Sequence, residues 1–416
     1  MRMKFKKTSQ LLLVSAASLG VAGLLTACSQ LTETLTIGFV YVTSAKAAGP
    51  DNYGEVDVFE INSQSGRMRQ IPSSPFPSGG RNPVGEAVSS DNTNLYVVNR
   101  DDNNIVQFII GSDGKLYPQN TVNTPGVFPL AISVAKTNLY VVDTYQPLAT
   151  CSPASPCSGS IAVYPILPAA GSTQAGKLQT KTTINSCNGL EYLPLSLPGA
   201  PTHVIAPTAI HASADNAYLF VTALDAATNT GWLFAYSVGS ATDCGNNTSA
   251  VPLTPLPGSP YLAGLHPSAV TSDPAGSYVY ITDFALANVR AYSVSAGGLA
   301  SGGPFPAGNQ PVSIAIDATG KFAMVAESQD SSVSTYAITN GALSRIGSFA
   351  TGLQPVAVGI DPRLNRYIFT ANFLGNNVSG FALDVNSGSL LNTQFSPFTA
   401  NANPTAVAAI PHNGSL

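Results

Sequence analysis

Charge is scarce in this chain of 416 residues: only 10% are Asp, Glu, Lys or Arg. So few charges do not furnish the polar faces of long amphipathic helices, and no stretch beyond residue 28 repeats its apolar residues with a helical period. A basic surface is missing as well, since the formal net charge is −4. Nucleic acid and anionic headgroups therefore find no complementary field here, and no nucleic-acid partner is expected. There is no Gly-Lys-Ser/Thr phosphate loop, no paired-His zinc motif and no Gly-x-Ser-x-Gly elbow, so no cofactor or metal is called for. The longest apolar run, Leu11–Leu25, is too short to span a bilayer comfortably.

That run follows Arg2, Lys4, Lys6 and Lys7 and ends in Leu25-Thr-Ala-Cys28, so residues 1–28 read as an export label. The ending resembles a bacterial lipobox, which implies cleavage before Cys28 and a lipid on its thiol. Residues 29–36 then form a polar tether, and Ser29 points to the outer membrane in a Gram-negative host. The expected address is the periplasm or cell surface, with the membrane met only through the lipid. The label holds four of the 18 basic residues and none of the 22 acidic ones, so the mature chain carries 14 against 22, a net charge of −8.

Gly and Pro are plentiful, at 37 and 31, and they mark a repeat. Prolines 83, 129, 207, 267, 311, 355 and 404 each open a short run of small and branched residues. The intervals from Pro267 to Pro311 and from Pro311 to Pro355 are both 44 residues. Asp273-Pro-Ala-Gly276 shows the turn that follows, Val279-Tyr-Ile-Thr-Asp283 a second strand, Val289–Val294 a third, and Gly298-Leu299 leads to a fourth. Four short antiparallel strands per repeat make a propeller blade. Val40-Tyr-Val-Thr-Ser44 lacks a first strand and Pro404–Ile410 lacks a second, so the two halves complete one blade. The fold expected for residues 37–416 is an all-β, seven-bladed propeller whose last strand closes the ring, leaving no naked edge at the centre. A monomer is expected.

The inner strands share a column pattern. Two places after each Pro stand Gly85, Ala131, Ala209, Ala269, Ser313, Ala357 and Ala406, all small; one place further the residues are branched, except Glu86. Alternation across a strand then gives one small and one branched face, which suits the narrow hub. Glu86 breaks the branched column and His211 breaks the next small one. Titratable groups so near the axis are costly unless paired, which makes them the catalytic candidates; the competing reading is a Glu and a His satisfied by backbone or channel water. The strand-end residues Ser44, Asn99, Asp143, Asp283, Glu327 and Asn372 read as caps for the turns that follow rather than as a cation ring.

Four cysteines follow Cys28, and an even number in an exported chain suggests disulfides. Cys151 and Cys157 lie within one insertion, which makes their bridge the economical choice; Cys187 and Cys244 fall in the outer parts of neighbouring blades, the third and fourth, and are expected to form the second bridge and staple them. Long connections at Ala45–Gly54, Thr144–Gly159 and Asp225–Gly231 all join second to third strands and emerge on one face. Turns such as Ser90–Asn94 and Asp317–Lys321 on the other face are short. Loops elaborated on one face of a rigid scaffold look like a binding surface, here for an unidentified protein or a carbohydrate-like ligand.

The Pro-led strand, Asp-x-x-Gly turn, Tyr-Val-x-Asn strand and Gly-x-Leu turn (Gly114-Lys-Leu116, Gly341-Ala-Leu343, Gly388-Ser-Leu390) resemble the lactonase family typified by 6-phosphogluconolactonase and the carboxymuconate cyclising enzyme. They are also similar to the YVTN-type propeller repeats of microbial surfaces. The resemblance covers residues 37–410 and implies the fold firmly. For chemistry it implies Pro-Arg-His on a mid-chain inner strand and Asn-Glu at the end of its second strand. This chain has Pro207-Thr208-Ala209 and Thr222-Ala223 there. The expected function is therefore a lipid-anchored binding or scaffolding module, with a lactone hydrolase using other residues as the alternative.

Overall fold

The computed structural model describes residues 36–45, 53–167, 176–179, 191–239, 251–362 and 365–412. Its regular structure is entirely β: seven antiparallel sheets of four or five strands. Six sheets are contiguous in sequence. The remaining one joins Thr36–Ser44 and Tyr53–Asn62 to the carboxyl-terminal strand Pro404–Pro411, with Gly38 opposite Pro411 and Val42 opposite Val407. That strand lies between the inner strands Pro83–Val88 and Pro355–Ile360 of the two neighbouring blades. The ring is closed as the half-repeats required.

Every inner strand carries a β-bulge at its proline. Pairing steps from Pro83–Asn99 to Gly85–Val98, and the same one-residue shift recurs at Pro129, Pro207, Pro267, Pro311, Pro355 and Pro404. Proline has no N–H to give to a ladder and is tolerated at strand starts and bulges. The residue after it drops out of register, and its side chain is free to reach sideways. Thr405 Oγ1 donates to Pro83 O of the next blade at 3.0 Å, and Ser268 Oγ donates to Pro311 O at 2.6 Å.

The apolar core lies in the seams between blades. The Tyr column of the second strands, continued as Phe220, Met324 and Phe369, is fully buried, and three of its hydroxyls reach the following blade. Tyr41, Tyr96 and Tyr140 donate to Gly114 O (3.1 Å), Gly176 O (2.6 Å) and Asn216 Oδ1 (2.7 Å). The Gly-x-Leu turns are glycine for two reasons. Gly114, Gly341 and Gly388 have φ of 79°, 81° and 74°. A Cβ there would also strike Phe39, Tyr278 or Phe322 of the preceding blade.

Cys151 and Cys157 are bridged, with Cα atoms 5.5 Å apart. Cys28, Cys187 and Cys244 lie outside the described residues, as do residues 1–35 and most of the Ala45–Gly54 connection. One expected loop is shorter than its sequence suggests, a turn of four residues, 226–229. Where Asp225–Gly231 read as a long connection, the second strand of the fourth blade (Tyr218–Asp225) runs on to pair Leu224 with Gly231 and Asp225 with Thr230. Its inner strand, Ile205–Ala212, likewise begins before the proline, with Ile205 opposite Asp225. The fourth blade thus extends its hairpins on the face that carries second-to-third connections, as the third does where Tyr145 pairs with Val127.

Candidate functional site

Glu86 and His211 sit on inner strands two blades apart and lean into different seams. Glu86 turns toward the first blade, where Thr43 Oγ1 donates to its Oε2 at 2.5 Å, while Oε1 is buried with no partner. Burial pushes its carboxyl up to about 8, against smaller opposing effects of the bonds from Thr43 and from the Ala408 backbone. His211 turns toward the fifth blade, its Nε2 lying 2.9 Å from Ser272 Oγ. Burial holds it down to about 4, so the ring is neutral at pH 7. The structure does not bring the two together.

The strand-end residues serve the turns. Asp283 accepts from the amides of Leu265, His266, Ala285 and Leu286. Glu327 accepts from Gly308 N and Ser332 Oγ, and Asp143 from Gly126 N. Each carboxyl group bonds to its own turn, Asp143 through one oxygen only, its Oδ1 being buried without a partner, and among the described residues no three His, Cys, Asp or Glu side chains gather as a metal site would need. At the fourth-blade position where the resemblance implied Arg, His and Glu, Thr208 Oγ1 donates to Thr222 Oγ1 at 2.9 Å.

A His and an acid do meet on the same hairpin, two rungs beyond its proline. His203 stands in the linker leading into the inner strand, and Asp225 ends the second strand, so these rungs bring them side by side. His203 Nδ1 lies 2.8 Å from Asp225 Oδ2. Asp225 is 1% exposed and is held from three sides, since Thr228 Oγ1 donates to Oδ2 at 2.7 Å and Ala227 N to Oδ1 at 2.9 Å. Burial alone would raise its pKa; the bonds from Thr228, His203 and Ala227 outweigh this and keep the carboxyl below its usual range. The His203 backbone is fixed by Ser158, which donates to His203 O at 3.2 Å and accepts from Ile205 N at 3.0 Å. Ser158 directly follows the disulfide loop Cys151–Cys157, so the insertion braces the histidine.

The pair lines a cavity of about 640 Å³ over the seam of the third and fourth blades. Trp232 and Leu262, register partners on adjacent strands, form one wall, Leu197 and Ala200 another, and Thr228 and Thr230 stand beside Asp225. Sequence reading missed this site because 22 residues separate His203 from Asp225. The signals on hand were the single Trp and an Asp followed three places on by Thr, the pattern of a side chain capping its own turn.

The family model described as "Lactonase, 7-bladed beta-propeller" matches residues 41–188 and 299–408. The chain belongs to this lactonase family. The unmatched interval between those segments contains every residue lining the cavity. Among solved structures, a putative 6-phosphogluconolactonase from Bacteroides fragilis is 18% identical, with a TM-score of 0.68 over 91% of this chain and 99% of that one. A periplasmic gluconolactonase from Pseudomonas aeruginosa is also 18% identical, with a TM-score of 0.66 over 89% and 99%. At such identities the likeness concerns the fold. No curated protein matches the sequence.

Proposed function

We propose that this lactonase-family propeller is a lactone hydrolase whose general base is His203, oriented by Asp225. The observation that carries the reading is the 2.8 Å contact between His203 Nδ1 and the buried, triply bonded Asp225 beside a cavity. An ionised carboxylate on Nδ1 fixes the tautomer and leaves Nε2 as the acceptor. Water bound at Nε2 gives up a proton as its oxygen attacks the lactone carbonyl carbon. The ring C–O bond then breaks, the leaving alkoxide takes the proton back from the imidazolium, and a hydroxy acid is released.

A lactone panel on purified residues 29–416 tests this. Turnover is expected, and His203→Asn and Asp225→Asn should each lower it by about 10²–10⁴-fold, while Glu86→Gln and His211→Asn leave it standing. Loss of turnover in the latter pair alone would return the chemistry to the channel. Absence of turnover on every lactone would favour a binding module instead, a reading supported by the braced insertion and extended hairpin on one face. We further propose export and lipid anchoring at Cys28, on the strength of the basic start, apolar run and Leu25-Thr-Ala-Cys28. Radiolabelled palmitate should enter the intact protein and not Cys28→Ser.

A further inference from the structure

We infer that the cavity takes an uncharged, polyhydroxylated ring and rejects its phosphorylated counterpart, an inference that rests on reading this cavity as the reactive site. Trp232 is partly exposed, yet its indole nitrogen is buried without a partner. What it shows to the cavity is therefore carbon. Leu262, 61% exposed, continues that surface from the adjacent strand. Such a platform fits the C–H face of a saturated ring. The opposite requirement, hydrogen-bonding groups for hydroxyls, is met nearby by His203 and Thr230. A ring presenting C–H to one side and O–H around its rim satisfies both walls.

The electrostatics decide the charge. Among the described residues that line the cavity Asp225 is the one carboxyl group, held below its usual range by its three donors, and there is no Lys or Arg. A phosphate carried into this space would face a like charge with no Lys or Arg to receive it. The wall residues fall in the interval that the family model leaves unmatched, so this selectivity belongs to the chain's own elaboration of the fold.

The chain contains one Trp, which makes its fluorescence a direct report from the cavity wall. The experiment titrates the mature protein with D-gluconolactam, a neutral ring that does not hydrolyse, and separately with the 6-phosphate ester of the same lactam, following emission and confirming by calorimetry. A saturable emission change with the lactam is expected, with binding of the phosphate weaker by about tenfold or more. Leu262→Ala, an exposed position, should weaken lactam binding several-fold and leave the melting temperature unchanged. Equal or tighter binding of the phosphate overturns the inference, and so does the absence of lactam binding by both readouts. A protein that binds the lactam and hydrolyses no lactone would refute the hydrolase while leaving the ligand class intact.

Discussion

The buried carboxyl of Glu86 makes the stability of the ring depend on pH in the direction opposite to that of a salt-bridged acid. In the folded chain its pKa is raised from 4.5 to about 8; unfolded, it returns to the lower value. Its contribution is therefore fully present below about pH 4.5, declines as the unfolded chain ionises, and is gone once pH passes about 8. Between those limits the folded state holds the extra proton. The two values differ by the equivalent of at most about 5 kcal/mol, a large part of a total margin of about 5–15 kcal/mol. Asp143 and Asp57, raised to about 7 and about 6 by burial, slope the same way, so the wild-type profile alone does not isolate Glu86. Glu86→Gln does. Guanidinium unfolding of both proteins at pH 5 and pH 9 gives a difference at each pH, and the variant should gain a few kcal/mol on the wild type between them. A difference constant to within about 0.5 kcal/mol would show that Glu86 is solvated and ionised in the ring and that the burial argument is wrong.

Deleting residues 402–416 removes a strand whose Ile410 is 1% exposed and bares the edge of Thr36–Ser44. The truncated protein should aggregate or melt far lower, and a melting point within a degree or two of the intact domain would refute ring closure. Replacing Cys151 and Cys157 by Ser removes a short-loop bridge worth about 2 kcal/mol at most. Lactone turnover should nevertheless fall, because Ser158 holds the His203 backbone, and unchanged kinetics would detach the insertion from the site. Tyr96→Phe strips the Gly176 carbonyl of its buried donor and should cost about 1–3 kcal/mol in denaturant titrations; a neutral result would mean that water replaces the bond.

The fold was legible because a propeller repeats its solution. The small column at Gly85, Ala131 and their counterparts, the buried tyrosines and the Gly-x-Leu turns all follow from packing identical wedges around an axis, and each copy reinforces the others. The site was less legible because it departs from the repeat. Glu86 and His211 stood out as column breaks, and both are half-buried on inner strands at the hub, but alternation along a strand does not say which neighbouring seam a side chain enters. His203 and Asp225 carried no such mark. Their meeting depends on two extra rungs, Leu224 with Gly231 and Asp225 with Thr230, and Asp225 and Thr230 look like loop until the hairpin draws them into register.

The closing strand also fixes how the molecule can be held. His412 N donates to Ile37 O at 2.8 Å, so the first and last described strands leave the ring side by side, at the margin of short turns. The turn after Asp225, beside His203, lies at the other margin. A tether at either terminus, whether a lipid, a bead or a fused partner, would start from the margin opposite that turn. By the same geometry, a linker of a few residues could join the two ends and new termini could be cut at Ser295–Gly298, moving the ring's closure to the fifth blade without altering the cavity. The strand that completes the first blade is then a choice of where the chain begins, not a property of the ring.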